Sequence, residues 1–323
     1  MKAVYIQEID AEIQVIDLPE PEPQNGEKKY KVLYSALNHR DLYISRGQYA
    51  KIAWPVIPGS DACVLDEEDG QTYILNPGKD WGGNARVQGR DYKILGMPGQ
   101  GTFAEYICVN PIQCFKKPAH LSNAEAAALP LGGLTAYRAL FTRARAEAGE
   151  KVLISGIGGG VALFAMQFAI AQGCEVYVTS SSPEKIKQAI EMGAKGGFLY
   201  NQPDWEQACL AQKTAFDVII DSAGGTGFSK LLALAAPGAR IAIYGGTCGK
   251  LSEISPQLLF WKQISILGSS MGNENDFAQM LDFVEKNKIK PFISAQFKLD
   301  EAAMAFAMMD KGQQFGKIVI SHT

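Results

Sequence analysis

From Lys151 onward the chain alternates short apolar runs with helical ones: Val152–Ile154, a helix over about Val161–Ala171, Val176–Thr179, a helix over about Pro183–Met192, Phe216–Ile220, a helix over about Phe228–Ala235, and Arg240–Tyr244. Strands that run the same way cannot be joined by tight turns, and an intervening helix is what returns the chain to the same end of a sheet. The alternation therefore predicts an α/β domain with a doubly wound parallel sheet. Val152–Ile154 and Val218–Ile220 are apolar throughout, as strands covered on both faces require. Ser182-Pro183 supplies a cap and a first-turn proline, and Gly193 a helix stop.

The first strand runs into Ser155-Gly-Ile-Gly-Gly-Gly-Val161 and then a helix. Residues without side chains let such a turn close and let a pyrophosphate approach the backbone, while free N–H groups and the helix dipole attract its charge. Gly158, Gly159, Gly160 and Val161 are therefore expected to hold a dinucleotide. The strict G-x-G-x-x-G spacing fails, because Val161 follows three residues after Gly158 and the closing small residue is Ala162. The alternative is a tight strand-to-helix turn with no ligand.

The tip of the next strand chooses between dinucleotides. A carboxylate about 20 residues beyond the turn would bond the ribose 2′-OH of NAD. Here the tip reads Thr179-Ser180-Ser181-Ser182, with Lys185 one helical turn on. Hydroxyls and a point charge suit a 2′-phosphate, so NADPH is the expected cofactor. Against this, Ser182-Pro183 could be only a helix cap and Lys185 a solvated cation.

Up to about Leu121 the chain is β-rich and broken by Pro and Gly, and the capping box Ser122-Asn-Ala-Glu125 marks a change of character. At 323 residues two domains are expected. The segment after Gly268, with a helix over about Asn275–Lys286 and a last apolar run Lys317–Ile320, could belong to either. With 31 basic against 34 acidic side chains, nucleic acid is not an expected partner. The six cysteines form no Cys-x-x-Cys, the opening MKAVYIQEID has no secretory pattern, and no apolar stretch of membrane-spanning length occurs, so a cytosolic location away from membranes is expected.

Asn38-His-Arg-Asp41, Pro58-Gly-Ser-Asp61, Gly101-Thr-Phe-Ala-Glu-Tyr106, Leu134-Thr-Ala-Tyr137, the glycine turn and Tyr244-Gly-Gly246 occur in that order. Together they resemble the medium-chain dehydrogenase/reductase family, zinc-free quinone oxidoreductase branch, over essentially the whole length. The resemblance implies a GroES-like β domain over 1–121, a Rossmann domain over 122–268, and a segment over 269–323 that rejoins the first domain. It implies that Ser181, Lys185 and Tyr200 bind the 2′-phosphate beside Ser180, and that Thr135 and the segment around Gly268 flank the nicotinamide. Tyr244 and Gly245 are expected on the cofactor as well.

Alcohol dehydrogenases of this family hold zinc where this chain has Asn38 and Ser60, and a lobe of four cysteines is absent from Asp80 to Gly99, so no metal is expected. Without zinc, hydrogen-bond donors must meet charge on the acceptor oxygen. The resemblance points to Asn38, Tyr43 and Tyr49, although the tyrosines could equally be packing residues. Asp41 is expected to bond backbone or ribose, and His39 to be structural. The implied activity is NADPH-dependent, zinc-independent hydride transfer to a quinone or an α,β-unsaturated carbonyl, a small-molecule substrate, by a homodimer or homotetramer. A zinc-dependent alcohol dehydrogenase and an NADPH-binding redox sensor are the alternatives.

Overall fold

The structure, a computed structural model, describes residues 1–24, 26–49, 52–211 and 214–322. It divides into two compact units, residues 135–271 and residues 1–134 with 272–323.

The unit over 135–271 is built on a six-stranded sheet in the order Gly196–Leu199, Glu175–Ser180, Lys151–Ile154, Phe216–Asp221, Ala235–Ile243, Ser265–Gly268, and every neighbouring pair is parallel. In chain order this reads third, second, first, fourth, fifth, sixth, the doubly wound arrangement of dinucleotide-binding domains. Val152, Leu153 and Ile154 have no exposed surface, and neither do Val218, Ile219 and Ile220. Leu153, Ile219 and Ile241 share a core with Phe216, Phe228, Leu232 and Trp205. Helix Gly160–Gln172 ends on Gly173, whose φ of 90° puts it in the left-handed region. Helix Pro183–Glu191 is capped by the Ser182 side chain and buries Ile186 and Ala189.

Among the described residues, strands Gly196–Leu199 and Ser265–Gly268 and helices Trp205–Ala211 and Pro256–Lys262 are among the elements that escaped the sequence pattern. Both strands lie at the sheet's edges, where one ladder of hydrogen bonds suffices, and a Gly196-Gly197 start has no strand propensity of its own.

In the other unit a seven-stranded sheet runs Ile293–Lys298, Lys317–Ser321, Lys28–Ala36, Asp61–Leu65, Thr72–Leu75, Cys114–Lys116, with Tyr106–Val109 also paired to Lys28–Ala36. Lys317–Ser321 pairs antiparallel with Lys28–Ala36, and this ties the tail to the β-rich part of the chain. The parallel pair Ile293–Lys298 and Lys317–Ser321 is joined through helix Ala302–Asp310, as a parallel connection demands. Helix Asn123–Ala128 begins at the anticipated capping box and packs on Lys28–Ala36, Asp61–Leu65 and Lys317–Ser321. Its buried alanines place residues 122–134 in this unit, where the change of sequence character at Ser122 suggests the next. A capping box marks the start of a helix, not the edge of a core. Among the described residues no helix is long and apolar enough to cross a membrane.

The Pro58-Gly59 bend is clasped by three backbone bonds: Gly101 N–H to Ile57 (2.8 Å), Thr102 N–H to Gly59 (3.1 Å) and Phe103 N–H to Pro58 (3.1 Å). A Cβ on Gly101 would lie 2.3 Å from the Pro58 carbonyl oxygen and 2.4 Å from that of Gly59. Gly101→Ala must push this bend away and is expected to destabilise the fold by about 1–3 kcal/mol, the usual cost of overpacking, read as a lowered thermal midpoint.

Candidate functional site

In the parallel sheet the strand order reverses between Lys151–Ile154 and Phe216–Asp221, and ligands of such sheets bind outside the strand ends at that point. The glycine turn leaves the first of these strands. Gly156 has φ 67° and Gly158 φ 138°. The Gly156 N–H donates to Thr179 Oγ1 (3.0 Å) and the Ile157 N–H to the Thr179 carbonyl (2.7 Å), so the turn is anchored to the neighbouring strand. Gly159 is the N-cap of a 13-residue helix and gives it no side-chain cap. Nothing lies within 4 Å of where a Cβ on Gly159 would stand. Gly160 and the half-buried Val161 form the first helical turn, whose N–H groups have no partner earlier in the helix and attract an anion.

Next to this turn, beyond Thr179, the strand tip carries Ser180 and Ser181, with Lys185 in the following helix and Tyr200 just past the neighbouring strand. Ser180 is buried, and its Oγ accepts the Ser182 N–H (3.1 Å). The Tyr200 N–H donates to the Ser180 carbonyl (3.0 Å), and Asn201 Nδ2 to that of the exposed Ser181 (3.2 Å). Lys185 reaches back over the turn, its Nζ 3.1 Å from where a Cβ on Gly158 would be. Desolvation holds its ammonium below the ordinary lysine range. Glu184 accepts the Ser182 hydroxyl (2.7 Å). Asn201 was not anticipated; its one signal was its place beside Tyr200.

Farther along the same edge, buried Asp221 accepts the Ser155 hydroxyl (2.5 Å) and the N–H groups of Ala223 (3.2 Å) and Gly224 (2.9 Å), which shapes the loop after the fourth strand. The Tyr244 N–H donates to the Asp221 carbonyl (3.0 Å), and burial pushes the Tyr244 phenol up. A Cβ on Gly245 would stand 2.7 Å from the Ser222 carbonyl, so the two loops meet backbone to backbone. The Gly268 carbonyl accepts Arg143 Nε (2.8 Å), and Thr135 Oγ1 lies 3.9 Å from the sulfur of Met271.

The other unit holds a buried polar cluster. Asn38 caps helix His39–Ser45, and Asp41 in the first turn accepts the N–H groups of Asn38 (2.8 Å) and Gly59 (3.2 Å). Asp41 thus bonds backbone; desolvation raises its carboxyl to about 6. Asn38 Nδ2 donates to Asp61 Oδ2 (2.9 Å), and Asn38 Oδ1 accepts Lys317 Nζ (2.7 Å). Lys317 also donates to Asp61 Oδ2 (2.9 Å) and the Leu37 carbonyl (2.8 Å), and Asp61 Oδ1 accepts the Leu131 N–H (2.8 Å). Arg40 Nη1 donates to Ser60 Oγ (2.6 Å) and the Leu95 carbonyl (2.7 Å). The half-exposed Tyr49 ring lies over that guanidinium at 5.4 Å, and the Tyr43 ring is 6.4 Å from the His39 ring. Sequence reasoning gave Arg40 and Lys317 no role. The available signal was a lysine opening the apolar run Ile318–Ile320, since a charge at such a place is buried only with partners.

The donor chemistry of this cluster does not fit zinc. The Asn38 oxygen faces an ammonium and the Ser60 hydroxyl a guanidinium, and neither residue offers thiolate or imidazole. Among the described residues no three His, Cys, Asp or Glu side chains gather as a metal site.

Residues 24–119 match the alcohol dehydrogenase GroES-like domain and residues 160–286 the zinc-binding dehydrogenase domain. The chain therefore belongs to the medium-chain dehydrogenase/reductase family, with a GroES-like β domain and a Rossmann domain, and is an oxidoreductase using a nicotinamide dinucleotide and a small-molecule substrate. It is 32% identical to a zinc-type alcohol dehydrogenase-like protein, YogA, of Leptosphaeria maculans, over 96% of this chain and 94% of that one. It is 31% identical to quinone oxidoreductase of Rattus norvegicus, over 94% and 92%. Among solved structures it matches an NAD-dependent alcohol dehydrogenase (TM-score 0.92, 30% identity, all of both chains). It also matches the quinone oxidoreductase of Thermus thermophilus, solved alone and with NADPH (TM-score 0.83, 27% identity, 99% and 100%).

Because the space beside Gly159 is open and its φ of −77° suits any residue, Gly159→Val is expected to fold normally. The added side chain would fill the approach to the helix N-terminus, so nucleotide affinity measured by fluorescence titration should fall at least about tenfold, roughly 1.4 kcal/mol or more. Unchanged affinity would remove the turn from the binding site.

Proposed function

We propose that this protein is an NADPH-dependent, zinc-independent oxidoreductase that passes hydride to a quinone or to the β-carbon of an α,β-unsaturated carbonyl. The observation that carries this reading is Lys185, a half-buried ammonium drawn over the glycine turn from the helix that follows Ser180-Ser181-Ser182, a strand tip with no Asp or Glu of its own. A 2′-phosphate would accept charge-assisted hydrogen bonds from this ammonium and hydrogen bonds from the serine hydroxyls. Ser180, Ser181, Lys185 and Tyr200 are the proposed 2′-phosphate residues. Gly158, Gly159, Gly160 and Val161 take the pyrophosphate, Thr135 and Gly268 flank the nicotinamide, and Tyr244 and Gly245 are further proposed cofactor contacts.

NADPH supplies the hydride. The protein's part is to bind, orient and stabilise charge. Asn38, Tyr43 and Tyr49 are the proposed donors to the acceptor oxygen, where the bond to incoming hydride leaves negative charge. The Asn38 and Ser60 environments support metal-free chemistry. The partner is a second copy of the chain, in a homodimer or homotetramer. Among the described residues strand Ser265–Gly268 is paired on one side only, and Phe260 and Trp261 just before it in the chain are 55% and 79% exposed, an arrangement that invites strand-to-strand pairing. Six free cysteines suit the reducing cytosol.

Calorimetry tests the cofactor assignment. NADPH is expected to bind more tightly than NADH, and Lys185→Ala to weaken NADPH by on the order of 1.5–3 kcal/mol, roughly tenfold or more, while hardly touching NADH. Equal affinities of the unaltered protein for the two cofactors would refute it.

A further inference from the structure

We propose that Lys317 is a positioning residue that fixes the Asn38 carboxamide in the one orientation useful to hydride transfer. The inference rests on the role given to Asn38 above and adds what holds that side chain. An asparagine carboxamide can rotate by half a turn and exchange oxygen for nitrogen with almost no change of shape, so its neighbours decide which atom points where. Here the neighbours leave no choice. Lys317 can only donate and Asp61, ionised, can only accept, so Oδ1 must face the ammonium (2.7 Å) and Nδ2 the carboxylate (2.9 Å).

The arrangement is closed. The three Lys317 donors are used on Leu37, Asn38 and Asp61, and the Lys317 and Asp61 side chains are 4% and 0% exposed, so water does not compete. Asp61 is held in turn by the Leu131 N–H (2.8 Å). One Nδ2 proton of Asn38 goes to Asp61, and among the described residues no protein acceptor takes the other. That second proton is the one offered to the acceptor oxygen. Without Lys317 the carboxamide keeps only its bond to Asp61, Oδ1 loses its donor, and the side chain is free to tilt and carry the second proton away from the acceptor oxygen.

The test compares Lys317→Met, Asn38→Ala and the double variant. In single-turnover reduction of 1,4-benzoquinone by NADPH, Lys317→Met is expected to slow transfer about tenfold, lowering kcat more than it changes KM, with NADPH affinity unaltered. The double variant should be no slower than Asn38→Ala, because a positioning residue has nothing left to position. Multiplying effects, or wild-type transfer by Lys317→Met, would overturn the proposal.

A second readout does not need activity. With asparagine labelled by ¹⁵N, the Asn38 carboxamide pair is identified by its loss in Asn38→Ala. Lys317→Met should shift that pair and speed its proton exchange at least about tenfold. A pair that neither moves nor exchanges faster would overturn the positioning role even if the protein reduces quinones. If the unaltered protein reduces none, the functional reading fails and this readout still decides the positioning. Should Lys317→Met not fold, Lys317→Met with Asp61→Asn removes both buried charges, and the same loss of protection is expected.

Discussion

Six strands running the same way deliver all their carboxyl ends to one edge of the sheet, and the nucleotide half of this protein follows from that. Every loop that leaves the edge leads toward a helix or the next crossover, so backbone N–H groups and short polar side chains collect there. The glycine turn, the serine-rich tip, the loop shaped by Asp221 and the Tyr244-Gly245 loop are successive products of this one constraint. Each is fixed by bonds to its neighbour: Gly156 and Ile157 to Thr179, Tyr200 to Ser180, Tyr244 to Asp221.

The β-rich unit solves another problem, that of keeping charges out of water. Asp61 and Lys317 are nearly inaccessible, and burial of such a pair is tolerated only when its remaining hydrogen-bonding capacity is met. Leu37, Asn38 and Leu131 meet it. Arg40 is handled differently, by Ser60, a backbone carbonyl and the face of Tyr49. Asn38 and Ser60 are engaged with cations, the first with Lys317 and the second with Arg40.

Much of the Rossmann unit was legible because its inner strands are apolar on both faces and its helices carry caps at the expected places. Gly196–Leu199 and Ser265–Gly268 were not, since edge strands need little propensity and leave little pattern. The glycine turn, Lys185 and the serines could be read from local spacing. Tyr200 could not, because its place beside Ser180 is made by the pairing of two strands 20 residues apart in the chain, and it entered only through resemblance. Lys317 was hidden for the same reason: its partners Asn38 and Asp61 lie more than 250 residues away in sequence. Tyr49 is placed over Arg40, a contact that spacing of nine residues did not announce.

The central claim is that this chain moves hydride from NADPH to an electron-poor acceptor without metal. Its most direct test is stopped-flow single turnover with NADPH deuterated at the transferred C4 position, using protein treated with chelator and checked for metal, against a panel of quinones and enones. The account predicts oxidation of NADPH in one turnover, a primary isotope effect on that step, deuterium recovered in the product, and rates unaltered by the chelator. Loss of turnover on metal removal with recovery on adding zinc, or NADPH that binds but passes no deuterium to any acceptor, would contradict it.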